Sequence, residues 1–202
     1  MNYFVTAIGT DSGKTVISAI LVEMLKADYW KPVQAGRPRD TDAVKALISN
    51  TETIFHPETY LLNTPASPHA AAKIDKVEID LNEFHVLETG DDLIIEGAGG
   101  VLVPLNDEDV VLDLVPRLHS EIILVSNLYL GSINHTLLTA EVIKSRGYKV
   151  KGIIFNGPSN PESEDIILKK TGYKLLLKVD QEEEMTKETI LKYAEKLKES
   201  WD

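Results

Sequence analysis

Short apolar runs such as LII, IILV and GIIF, each set apart by a stretch with helical spacing, constrain this chain most. They do not alternate apolar with polar residues, so each reads as a strand covered on both faces. A parallel sheet with helices on each side supplies that cover. Residues 2–8 (NYFVTAI), 28–33, 92–96 (DLIIE), 121–126 (EIILVS) and 150–155 read as strands. Helices are expected from about Lys14 to Lys26 and over 41–49, 80–88 and 133–145. In the first of these, Ile17, Ile20, Leu21, Met24 and Leu25 recur at the spacing of one buried face. Ile190, Ala194, Leu197 and Trp201 do the same, which predicts a docked terminal helix rather than an interaction tail. Residues 50–80 are the least regular and read as an insertion over the edge of a site. No linker, repeat or low-complexity block interrupts the order, so one α/β domain over 1–202 is expected.

Composition narrows the function. Lys plus Arg number 21 against 32 Asp plus Glu, a net charge of −11, which repels a phosphate backbone and disfavours general nucleic-acid binding. Any phosphate must be gripped locally, by a few basic groups and backbone amides. The absence of cysteine excludes disulfides, thiolate metal sites and thiol nucleophiles. The N-terminus lacks a basic leader, and no apolar run approaches ~18 residues, so a soluble cytoplasmic protein without a membrane partner is expected.

Gly9-Thr10-Asp11-Ser12-Gly13-Lys14-Thr15 falls between the first strand and the first helix. A helix start directs free N–H groups and partial positive charge at an anion, so a phosphate-binding loop belongs there. Its glycines let backbone wrap phosphates, Lys14 neutralises phosphate oxygens, and the Thr15 hydroxyl suits Mg²⁺. Ile8 stands where the usual spacing places the first glycine. The expected fold is therefore of the P-loop NTPase kind.

Other residues gather at strand ends. Glu96 closes the run DLIIE and is followed by Gly97-Ala98-Gly99-Gly100, so its carboxylate would face the ligand crevice as a Mg²⁺ ligand. Lys31, in WKPVQAG, adds a second positive charge suited to a polyanionic transition state. Of Asp40 and Asp42, capping of the following helix explains one, which leaves Asp42 as the metal candidate. Gly131-Ser132-Ile133-Asn134 precedes another helix and offers N–H groups to an anion, while His135 is expected to pack in that helix's first turn. Asn156 ends a strand before Gly157 and Pro158, where an amide either reads a nucleobase edge or closes a turn.

Taken together, the loop ending GKT, WKPVQAG, TDA at 41–43, PASPHAAA at 65–72, EGAGG at 96–100, LGSINHTLLTAEVI at 130–143 and GIIFN at 152–156 resemble the dethiobiotin synthetase family. The likeness covers most of residues 3–157. It implies a homodimeric P-loop fold and a Mg²⁺-dependent cyclo-ligase. Its substrates would be diaminopelargonate (7,8-diaminononanoate), CO₂ or bicarbonate, and ATP.

The resemblance also implies roles. Lys31, Lys14 and Thr10 would be catalytic. ATP would be held by Asp11, Ser12, Gly13, Lys14, Thr15, Val16, Asp42, Glu96, Gly97, Ala98, Gly99, Asn156 and Gly157. The substrate would meet Thr10, Lys31 and Ala35, together with Gly131, Ser132, Ile133 and Asn134 from a neighbouring subunit. Thr15, Asp42 and Glu96 would take the metal. Ala7 and Ala35 depart from the family's usual glycine and hydroxyl residue, and beyond 157 the likeness fades at Leu177-Lys178-Val179-Asp180. A related ATPase switch would carry an additional lysine early in the loop, and residues 9–12 have none. An amidating ligase would need a glutaminase partner with a cysteine nucleophile. A nucleotide-binding protein without turnover is the third alternative.

Overall fold

Glycine and proline punctuation cuts the chain into strands and helices, all described over residues 1–201 in a computed structural model. In order these are β1 (Asn2–Ala7), α1 (Lys14–Leu25), β2 (Asp28–Trp30), β3 (Val33–Ala35), α2 (Asp40–Leu47), β4 (Phe55–His56), β5 (Tyr60–Leu62) and α3 (Pro68–Asp75). Then come β6 (Leu93–Gly100), α4 (Leu114–Arg117), β7 (Ser120–Asn127), α5 (Ser132–Ser145), β8 (Val150–Asn156), α6 (Pro161–Thr171), β9 (Leu175–Val179) and α7 (Lys187–Lys198).

Seven strands form one sheet in the order β4-β2-β6-β1-β7-β8-β9, and every neighbouring pair is parallel. Side-chain alternation divides the core between the sheet's faces. Tyr3, Val5, Tyr29, Ile94 and Ile123 pack with Ile17, Ile20, Leu21 and Val44 of α1 and α2 and with Ile190, Tyr193 and Leu197 of α7. Phe4, Trp30, Ile95, Leu124 and Phe155 point the other way, onto Ala71 of α3, Val115 of α4, Ile143 of α5 and Ile167 of α6. The expected terminal helix is present, and Trp201 completes it by meeting the Tyr3 ring edge-on at 5.1 Å.

Two expectations need correction. The segment 28–33 is not one strand: Lys31-Pro32 divides it, and β3 leaves the main sheet to pair with β5. Proline cannot donate a ladder hydrogen bond, so the break falls where the chain must turn toward the ligand end. The helix expected over 80–88 is only a single turn at Leu81–Glu83, with Asp80 accepting the Asn82 N–H. Local capping by an aspartate there competes with continued helix. The stretch 50–80, read as an insertion over the edge of a site, holds β4, β5 and α3, and its residues Pro65 to Pro68 border a cleft at the sheet's ligand end. No helix among the described residues is long and apolar enough to cross a membrane.

Candidate functional site

The carboxyl ends of β1, β2 and β6 open into a cleft of about 720 Å³. Its floor is the Gly9–Thr15 loop. Asp11 and Gly13 both take left-handed backbone, at φ 56° and 90°, and this turns the chain directly into α1. A Cβ on Gly13 would stand 2.1 Å from Asn156 Nδ2, so only glycine permits that approach. Asn156 in turn donates to the Ser12 carbonyl at 3.0 Å, tying β8 to the loop. No side chain caps α1, and Ile17 is the residue whose N–H bonds back to the Gly13 carbonyl. The helix start is thus left with donors for an anion.

The other wall carries the charge. Lys31 is 3% exposed, and its Nζ lies 2.6 Å from Asp40 Oδ2, 3.0 Å from Glu96 Oε1 and 2.9 Å from the Gly97 carbonyl. Burial alone would lower its pKa, but Glu96 and Asp40 outweigh that and hold the ammonium above its ordinary value. Glu96, 1% exposed, also accepts the Thr15 hydroxyl at 3.0 Å and the Tyr29 hydroxyl at 2.9 Å. Lys14 donates to the Gly9 carbonyl at 3.2 Å; burial, with Lys31 adding like charge, brings its pKa down to about 8. Glu96 and Asp40 bracket the Lys31 ammonium and the Thr15 hydroxyl reaches Glu96, so hard oxygens of the kind a small divalent cation takes lie at this wall of the cleft.

Thr10, Asp11, Gly13, Lys14, Thr15, Lys31, Ala35, Glu96, Ala98 and Gly99 all line this cleft, as the sequence leads one to expect. A Cβ on Gly99 would crowd Val103 and reach the Thr10 hydroxyl, and one on Gly100 would press on the backbone of Ala7 and Gly9, so the glycine run lets β6 approach the loop closely. Ser12 is buried beneath the loop and bonds Gly9, and Val16 packs into the core. Gly97 reaches the site only through its carbonyl, and the Gly157 N–H is spent on Val179.

Asp42 does not reach the cleft. It is 55% exposed and takes two N–H groups of Arg39 at 2.8 and 2.6 Å. Residues 40 and 42 lie about 200° apart around a helix, so one cleft cannot receive both. Asp40 is the carboxylate that faces it, and Asp40 is no cap: Gln34 Oε1 accepts its backbone N–H at 3.0 Å.

Gly131, Ser132, Ile133 and Asn134 do not line this cleft; they form the start of α5, where Gly131 at φ 106° leaves the helix without a side-chain cap. His135 is not packed but exposed, and its Nδ1 lies 2.6 Å from the Tyr129 hydroxyl. It borders a second groove of about 420 Å³ formed with Ile8, Thr10, Leu102 and Leu138. Pro65 to Pro68 complete the lining of the main cleft. Tyr29 and Gln34 were not legible as site residues, although Tyr29 and Lys31 stand two apart in extended chain and so share a face.

Known proteins resemble the chain over nearly its whole length. The family model described as an AAA domain matches residues 1–189. The chain is 60% identical to ATP-dependent dethiobiotin synthetase BioD of Cytophaga hutchinsonii, over 98% of both chains. It is 48% identical to the enzyme of the same name from Christiangramia forsetii, over 98% of this chain and 96% of that one. Among solved structures, a ParA family ATPase from Chlorobium tepidum has a TM-score of 0.56 at 14% identity, covering 98% and 92%. The septum site-determining protein MinD of Pyrococcus horikoshii, complexed with Mg-ADP, has the same TM-score at 16% identity, covering 100% and 93%. These structural likenesses establish a P-loop ATPase fold.

Proposed function

The chain belongs to the ATP-dependent dethiobiotin synthetase family, and we propose that it is a cyclo-ligase joining diaminopelargonate and CO₂ into dethiobiotin at the expense of ATP. The observation that carries this reading is the cluster of Lys31, Glu96, Asp40 and Thr15 facing an uncapped helix start. That is a site for a triphosphate, a divalent cation and a polyanionic transition state, with no acid–base dyad.

One substrate amine captures CO₂ as a carbamate. A carbamate oxygen attacks the γ-phosphorus and ADP departs, leaving a carbamic–phosphoric anhydride. The second amine attacks the anhydride carbonyl, loses a proton, and expels phosphate as the ring closes. The chain's work is positioning and charge neutralisation. The α1 amides and Lys14 hold the phosphates, while Lys31 neutralises charge between carbamate and γ-phosphate. Thr10 and Ala35 border the substrate. Mg²⁺, when bound, supplies Lewis-acid stabilisation of the phosphates. Thr15, Glu96 and Asp40 are its protein ligands in this reading, and Asp40 replaces Asp42 because Asp42 is turned toward Arg39. Asn156, fixed on Ser12, keeps its Oδ1 for an exocyclic amine of the base.

A second copy of the chain completes the site. Leu130 is fully exposed and Leu138 and Leu102 are at least half exposed, all on the side of α5 and the second groove. Covering this apolar face would bring Gly131–Asn134 of the other copy to the substrate's carboxylate.

Phosphate release with MgATP and bicarbonate, with and without diaminopelargonate, tests the reading when the product is identified by mass spectrometry. Release that depends on the diamine, with dethiobiotin formed, is expected. ATP hydrolysis indifferent to the diamine would instead mark an ATPase switch.

A further inference from the structure

The start of α2 carries one side of the bracket around Lys31, and a side chain from another strand fixes that start. Arg39, which precedes the helix, gives it no side-chain cap, so the Asp40 N–H finds its partner elsewhere. The acceptor is Oε1 of Gln34 on β3, at 3.0 Å. Gln34 is 5% exposed and lines the cleft, and its Nε2 donates to the Ala35 and Gly36 carbonyls, each at 3.4 Å. Both ends of the amide are committed, which gives its oxygen a fixed direction. The Thr41 hydroxyl donates to Glu58 Oε1 at 2.8 Å and adds a second tie from outside the helix.

We propose that Gln34 is a positioning residue: by holding the Asp40 N–H it sets the phase of α2 and so keeps the Asp40 carboxylate on the Lys31 ammonium. An ammonium has three N–H groups. Lys31 spends them on Asp40 at 2.6 Å, Glu96 at 3.0 Å and the Gly97 carbonyl at 2.9 Å. Glu96 and Gly97 belong to β6, an inner strand of the sheet. Asp40 is the partner whose place depends on a helix terminus. One residue of helix turns a side chain by about 100°, so a helix start that slips takes the carboxylate off Lys31. A charge that acts by standing between two reacting groups loses rate when it moves by as little as about 1 Å. The inference rests on the reading of Lys31 as the charge between carbamate and γ-phosphate.

The test is a double-mutant cycle. Gln34→Met, which keeps the length of the side chain and removes the acceptor, is placed in the parent and in Asp40→Ala. Diamine-dependent phosphate release is measured with all substrates saturating. In the parent, Gln34→Met is expected to lower kcat about tenfold and leave the KM for ATP within about twofold. In Asp40→Ala the same change should lower kcat by less than about twofold, because the contact it served is already gone. Its effect on melting temperature is expected to be the same in both. A merely structural role lowers kcat by the same factor in both backgrounds, and that result overturns the proposal. So does a kcat for Gln34→Met within about twofold of the parent. Gln34→Ala goes through the same cycle, so misfolding of one variant leaves the other to decide. If the parent forms no dethiobiotin and only hydrolyses ATP, the synthetase reading fails, and the cycle read on hydrolysis still decides the role of Gln34.

Discussion

The ligand end of β6 and the far edge of the sheet, at α6 and β9, each bury a carboxylate against a lysine. Glu96 is 1% exposed and Glu164 fully buried. Glu164 is served mainly by its own neighbourhood: the Ser159 hydroxyl and the Asn160 N–H, both at 2.9 Å, and Lys178 on β9. Burial alone would raise its pKa, yet those partners hold it below the ordinary carboxylate value. Its partners are satisfied within the chain, and it fastens the loop between β8 and α6. Glu96 draws instead on residues 65 to 81 positions away in sequence, and Lys31 is shared with Asp40 across an open cleft. The difference teaches that burial does not identify a working carboxylate. An open space beside the pair, with further donors aimed into it, does.

The largest effect that would sharpen this contrast is on Lys31. Lys31→Gln is expected to lower turnover by about 10²–10³-fold with an unchanged circular dichroism spectrum. Turnover within tenfold of the parent would remove Lys31 from the reaction. Next comes the choice between two aspartates on one helix. Asp40→Asn should cost about 10–100-fold in activity at limiting Mg²⁺, and Asp42→Asn no more than about twofold; the reverse ranking would restore Asp42 as the ligand. Glu164→Gln is expected to reduce stability by on the order of 2 kcal/mol, seen as a fall of about 4–8 °C in melting temperature, with kcat within about twofold. A large loss of kcat in a protein that melts normally would erase the distinction between the two regions.

The smallest effect is on pH dependence. Lys14 titrates near 8 in the free protein because it is buried and faces Lys31, and phosphates would restore its charge. ADP binding should therefore take up a proton above pH 8 and weaken by up to about tenfold per pH unit there. Calorimetry in two buffers of different ionisation heat measures that uptake. For stability the sign is that of a depressed lysine: the unfolded chain holds the proton up to the ordinary lysine value of 10.5. The cost of burying Lys14 is thus present below about 8 and relieved as pH rises toward 10.5.

Much of this was legible before any coordinates. Apolar runs without alternation mark strands covered on both faces, and LII, IILV and GIIF became β6, β7 and β8. Glycines at 9, 13, 97, 99 and 100 mark backbone that must bend or approach closely, and Gly13 and Gly99 do both. The segment 80–88 was misread because Asp80 caps a single turn, which helix-like spacing does not reveal. The ends of 28–33 were misjudged because departure into a second sheet depends on a partner, β5, that lies in the least regular part of the chain.

By itself, the sequence determined the strand–loop–helix order, the phosphate loop, and the place of Lys31 just past β2. These depend on local periodicity and on residues close along the chain. Glu96, expected to close its strand, lies inside β6 (Leu93–Gly100). Only the tertiary structure decided which aspartate of α2 faces the cleft, that Gln34 holds Asp40, that Asn156 ties β8 to the loop, and that Tyr29 grips the back of Glu96. Those choices depend on helix phase and on packing between segments far apart in sequence. A carboxylate's role is set by what surrounds it in space, and no spacing along the chain encodes that directly.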